Sequence, residues 1–123
     1  MTFPLSRMMS TATATYGVYA LANPRHLGDA VDPKHAGDYD LLATTYGARD
    51  LAISSVGLLG RSGKTVSAAM LIRIACDVSD GLILAARTKD DATRQKVLGV
   101  TFGWAALNAL ALAADRRRSR RTA

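Results

Sequence analysis

Eighteen consecutive residues, Val97 to Ala114, carry no charged side chain. A helix on the surface of a water-soluble domain needs a polar outer face, because only one stripe of it is buried. A helix that is apolar all round belongs in the centre of a large protein or in lipid. At 123 residues the chain has room for one domain, too small to enclose such a helix. The stretch from Met8 to Ala22 is likewise free of charge. Two segments of four therefore ask for a lipid environment.

Helix is the expected secondary structure throughout. Alanine and leucine are abundant and lead the helix scale, while the aromatic residues favoured in strands make up 6% of the chain. Segment one, Met8–Ala22, stops at Asn23-Pro24, since the residue before proline avoids the helical region. A polar connection follows to Asp40, and connections of that length often serve as lids or binding loops. Segment two runs over 41–59 and ends at the turn Gly60-Arg61-Ser62-Gly63-Lys64. Segment three covers 65–86, and a charged connection leads to segment four at 97–114. The short connections imply antiparallel neighbours. The expected fold is an all-α, up-down-up-down four-helix bundle that is transmembrane, with a basic tail at 116–123.

Segment three opposes insertion. Arg73, Asp77 and Asp80 would together cost about 7.5–10 kcal/mol near the bilayer centre, against about 4 kcal/mol returned by its strong apolar residues. It enters lipid only if its charges meet partners, and Arg49 and Asp50 in segment two are the candidates. With an even number of spans both ends lie on one side. That side holds Arg7, Arg61, Lys64 and the tail arginines Arg116, Arg117, Arg118, Arg120 and Arg121, eight cations against six on the other. The excess places both termini in the cytoplasm of a multi-pass protein of the cell membrane. Arg7 and the stretch to Ala22 loosely imitate a secretory signal, but serines, threonines and tyrosines dilute it, and a retained first helix is expected.

Arg73 and Asp77 are four apart and stack on one helical face, which Asp80 continues. Together with Arg49 and Asp50 they are the candidate catalytic residues. Burial and a nearby arginine act oppositely on a carboxylic acid, so neighbouring aspartates can be held in different protonation states and serve as acid and base. Tyr16, Tyr19, Tyr46, Trp104 and Asn108 are candidate binding residues. The competing reading is that the charges only pair, fix register and hold helices together. Cys76 is alone, so no intrachain disulfide forms. No metal site is expected: His26 and His35 sit at irregular spacing among solvated loop residues.

Two motifs are decoys. Gly60-Arg61-Ser62-Gly63-Lys64-Thr65 imitates the end of a phosphate-binding loop, but the required glycine at position 58 is Leu58 and no strand precedes it. Asp77-Val78-Ser79-Asp80-Gly81 imitates the opening of the motif of membrane CDP-alcohol phosphotransferases, but segment four lacks the second pair of aspartates.

The run Tyr46-Gly47-Ala48-Arg49-Asp50-Leu51-Ala52 through Gly57, with Asp80-Gly81, resembles a family of small four-helix membrane proteins known as domain of unknown function 4267. The likeness extends from the first helix to the fourth. It implies architecture and location, with Gly47, Arg49 and Asp50 at the second-helix signature and Asp80 at an acidic position of the third, and no activity.

Three function classes follow. The first is a small integral membrane protein whose charges hold it together. The second is a membrane enzyme for a small lipophilic substrate, needing no cofactor: an isomerase, a cyclase or an epoxide-opening enzyme in which Asp50, Asp77 or Asp80 is acid or base and Arg49 and Arg73 stabilise negative charge. The third is a soluble basic bundle whose tail binds nucleic acid. The expected partners are the bilayer and a small lipophilic ligand rather than nucleic acid, and a homo-oligomer is left open.

Overall fold

A computed structural model describes residues 2–122, and these are helical almost throughout, with no strand among them. The order is α1 (Pro4–Ala22), α2 (Arg25–Val31), a 3-10 segment (Pro33–Tyr39), α3 (Asp40–Leu59), α4 (Gly63–Arg87) and α5 (Asp91–Thr122). The all-α expectation holds.

The expected boundaries shift in three places, each with a local cause. Helix α1 begins at Pro4 rather than Met8, with proline at the position where a missing N–H costs nothing. The Asp115 carboxylate caps it from outside, accepting from the Ser6 N–H at 2.6 Å and the Leu5 N–H at 3.3 Å. Helix α5 begins at Asp91, preceded by Asp90, whose Oδ2 accepts from the Thr93 N–H and hydroxyl at 3.0 and 2.7 Å. It then runs unbroken through the arginines to Thr122, so the described part of the expected tail is helix; Ala123 lies outside the described residues. The supposed loop after Pro24 is instead α2 and the 3-10 segment, each opened by a proline and separated at Asp32.

Contacts between the long helices run in opposite senses. Ser10 of α1 lies against Gly57 of α3, and Gly17 against Gly47 and Leu51. Helices α4 and α5 meet at Gly81 and Thr101, and α1 meets α5 through Trp104 to Thr13 and Asp115 to Ser6. The α1–α3 contact depends on glycine. A Cβ on Gly17 would stand 2.8 Å from the Gly47 carbonyl oxygen, and one on Gly47 2.9 Å from the Gly17 oxygen. That is closer than packed carbon and oxygen tolerate, so only glycine permits this approach.

The interior is layered along the helices. At one end Phe3, Val66, Met70 and Leu112 form an apolar cluster; at the other, Leu27, Val31, Ala43, Tyr46, Leu84 and Val97 form a second, with α2 seated on it. Between them lie buried polar groups: Thr13, Asp50, Ser54, Arg73, Asp77 and Asn108. Large apolar side chains point outward instead, among them Met8 and Val18 on α1, Leu71, Ile72, Leu82 and Ile83 on α4, and Val100, Leu107 and Leu110 on α5. Among the described residues α5 alone is long and apolar enough, by length and composition, to cross a membrane. The charges within α3 and α4 lower the mean hydropathy of those two helices.

Candidate functional site

The five charged residues singled out from the sequence form one connected network across α3 and α4. Arg73 donates through Nη1 to Asp50 Oδ1 and through Nη2 to Asp77 Oδ1. Arg49 donates through Nη1 to Asp80 Oδ1 at 3.1 Å and through Nη2 to Asp80 Oδ2. Its Nη2 also lies 3.5 Å from Asp50 Oδ1, which joins the two halves. The Arg73–Asp77 bond is the one that their four-residue spacing dictates. Asp80, three residues on, turns instead to Arg49, because α3 and α4 pack in opposite senses. Arg73, Asp50 and Asp77 are 5%, 3% and 5% exposed. The network holds two guanidinium groups and three carboxylates, so it carries one more negative than positive charge when all are ionised.

A cavity of about 380 Å³ opens on this network. Asp50, Arg73, Asp77 and Asp80 line its polar end, and Tyr16, Tyr46 and Trp104 contribute aromatic walls. The rest is largely apolar: Leu27, Ala30 and Val31 from α2, with Leu84, Val97 and Val100 opposite. Asp77 Oδ2 is buried with no hydrogen-bond partner among the described residues. Trp104 is held by its Nε1–H, which donates to Thr13 Oγ1 at 3.1 Å, while that hydroxyl donates to the Met9 carbonyl.

Tyr19 and Asn108, also expected as binding residues, are not among the cavity's lining. The Tyr19 hydroxyl accepts from Asn23 Nδ2 at 3.1 Å near the surface. Asn108 is fully buried and donates to the Trp104 carbonyl within its own helix.

His26, set aside in the sequence as a solvated loop residue, lines the cavity, as does Lys96. Its Nδ1 lies 2.7 Å from the Asn23 carbonyl, which can only accept, so that nitrogen carries the hydrogen. In the neutral ring Nε2 then accepts from the Tyr16 hydroxyl at 2.8 Å. The signal that could have placed α2 over the cavity is the apolar pair Leu27 and Val31, four apart between Pro24 and Pro33. Arg25 fastens this cap, donating from Nε and Nη2 to the Asp40 carboxylate at 3.0 and 2.8 Å. The bonded guanidinium holds the Asp40 carboxyl below its ordinary value.

Two further buried charges escaped sequence reasoning. Arg7 donates to the Leu58 and Gly60 carbonyls at 2.6 and 2.7 Å, closing the end of α3 onto α1. Asp115 caps α1 as described above. Its only local sign is an acidic residue standing alone between an apolar helix and an arginine run.

Among the described residues no group of histidine, cysteine and carboxylate side chains is placed to hold a metal ion. Comparison of the chain with protein families, with curated proteins and with solved structures finds no match.

Proposed function

We propose that the chain is a multi-pass membrane protein, an antiparallel four-helix bundle with both termini cytoplasmic. Its cavity takes a small lipophilic molecule and acts on it by carboxylate acid–base chemistry without a cofactor. The observation that carries this reading is the cavity itself: apolar walls converging on a paired Arg/Asp network, the arrangement expected of a small-molecule site.

The membrane setting is supported by the distribution of polarity. Arg73, Asp50 and Asp77 are buried and paired while Leu71, Ile72, Leu82, Ile83, Leu107 and Leu110 face outward. Only 28% of the apolar window of α5 is buried, too little for the core helix of a soluble protein. Segment three was expected to enter lipid only with partners for its charges, and Asp50 and Arg49 are those partners. Hydroxyls also turn inward on their own helices. Thr11, Thr15, Thr44, Thr45 and Ser55 each donate to the carbonyl four residues earlier, an arrangement that satisfies a hydroxyl within its own helix. This architecture is also what the resemblance of the Tyr46–Ala52 run to a four-helix membrane family implies.

In the chemistry proposed, one carboxylate withdraws a proton from the substrate and a neighbouring carboxylic acid returns one at another atom, which rearranges the molecule with no net change in protons. Asp77, with its free oxygen, is the base. Asp50 or Asp80, the other two carboxyl groups of the network, is the acid. Arg73 and Arg49 stabilise negative charge that develops on the substrate.

Two measurements test the reading. Resistance to alkaline carbonate extraction is expected, and release into the soluble fraction would sink the membrane setting. In detergent, the neutral apolar probe 1-aminoanthracene is expected to quench Trp104 saturably at one site. The cavity-filling pair Ala30→Phe and Val100→Phe, both at exposed lining positions, is expected to abolish that quenching. Quenching that is unsaturable, or unchanged in the filled variant, would leave the charges with a purely structural role.

A further inference from the structure

The charges outside the network are distributed unequally between the two ends. The end formed by the start of α1, the α3–α4 turn and the close of α5 carries Arg7, Arg61, Lys64 and the five arginines of α5 against Asp115 alone, a net charge of +7. The opposite end carries six cations and six aspartates, a net charge of zero. With the network at a formal −1 when all its groups are ionised, the total is the formal +6 of the whole chain. All of the excess among side chains therefore lies at one end, and its single acidic side chain, Asp115, is buried as the cap of α1.

The arginines are also placed in a particular direction. Asp115 marks where the packed part of α5 ends, and the helix continues to Thr122 with every residue from Arg116 exposed. At 100° per residue Asp115 and Thr122 point toward α1, while the five arginines span the rest of the circumference. Arg117 and Arg121 lie seven and eleven residues beyond Leu110, two and three turns along the same face. Arg118 stands in the same relation, eleven residues on, to Leu107. Leu107 and Leu110 are 51% and 67% exposed and belong to the outward apolar face of α5. One helix face thus passes from leucine to arginine within about 10 Å. That is the order in which a lipid presents acyl chain and then phosphate, and arginine stems extend along such a boundary with the guanidinium at the phosphate level.

We infer that this end is a binding surface for anionic phospholipid headgroups, with Arg117, Arg118 and Arg121 contacting phosphate and Arg61 and Lys64 adding to the field. The inference rests on the membrane reading above, and goes beyond it in assigning a lipid class and a leaflet. Nucleic acid also offers phosphate, but it would not require the arginines to continue an apolar face.

The test uses the full chain in vesicles of phosphatidylcholine alone or with phosphatidylglycerol, first checked for carbonate-resistant insertion. Native mass spectrometry of protein released from the mixed vesicles is expected to show phosphatidylglycerol retained over phosphatidylcholine by about tenfold or more. Changing all five arginines of α5 to glutamine is expected to abolish the preference while insertion persists, since these side chains lie outside the packed region. Changing them to lysine is expected to keep most of it. Inserted wild-type protein with no preference, or a preference that survives the glutamine changes, overturns the inference and leaves the membrane reading standing. Carbonate-extractable protein overturns both. A 20-base-pair duplex that binds inserted protein when phosphatidylglycerol is not preferred overturns it in favour of nucleic acid.

Discussion

Replacing Arg73 by glutamine is the sharpest perturbation of the charged network. Among the described residues Arg73 is the sole donor to Asp77 and one of two guanidinium groups beside Asp50, and all three side chains are nearly inaccessible. Arg73→Gln leaves one guanidinium among three carboxylates, with Asp77 charged and unpaired in an apolar interior. Removing one partner of a buried pair typically costs about 3–5 kcal/mol, a large part of the roughly 5–15 kcal/mol that holds a domain folded. Asp77→Asn is different in kind. It leaves two guanidinium groups for two carboxylates, and the amide oxygen still accepts from Arg73. The loss is that of one charge-assisted hydrogen bond, about 1.5 kcal/mol. The fluorescence of Trp104, the single tryptophan, reports on this region directly. Denaturant unfolding of purified protein in detergent is expected to place Arg73→Gln about 1.5–3.5 kcal/mol below Asp77→Asn. Equal losses, or a larger loss for Asp77→Asn, would refute the charge accounting.

Asp115→Ala is expected to destabilise the protein by about 1–2 kcal/mol through loss of the cap on α1, with amide exchange accelerated first at Leu5 and Ser6. Gly17→Ala forces a Cβ to within 2.8 Å of the Gly47 oxygen and should cost about 1–3 kcal/mol in thermal unfolding. Gly99→Ala in α5 meets nothing within 4 Å and should be neutral or stabilising by up to about 1 kcal/mol; similar losses at both positions would refute the packing assignment. The Asp40 carboxyl is lowered by Arg25, so the tie it makes is fully present above its ordinary value and is lost as pH falls through the lowered one, below about pH 4. The protection of the α2 amides relative to their intrinsic exchange rates should therefore fall at acid pH, and Asp40→Asn should remove that pH dependence.

How much of the site was legible depended on sequence distance. Arg73 and Asp77 were readable as a pair because four residues along a helix bring side chains onto one face. Arg49 was readable as a partner for the charges of segment three, but which of them it would take was not. Asp80, thirty-one residues away, reaches it only through the packing of α3 on α4. Tyr16, Tyr46 and Trp104 reached the cavity while Tyr19 and Asn108 did not, since chemical type alone does not say which way a helix is rotated against its neighbours. The connection after Pro24 read as a polar loop because its charges outnumber its apolar residues. Its fold depends on Leu27 and Val31 finding a cluster built by three other helices.

The eighteen uncharged residues of Val97–Ala114 show the same division. Composition and length alone determined that the chain would be helical, where α3 and α4 would lie to within two residues, and that the core of α5 had no polar face to offer water. Those properties are local, set by backbone propensity and by the spacing of side chains along a single helix. Only the tertiary structure decided which apolar residues would face outward, that five charges would close into one network, that a cavity would open beside it, and that the one acidic side chain at the arginine end of α5, Asp115, would be buried among the described residues. Each of these depends on which helices meet and in what rotation, and long-range packing sets that.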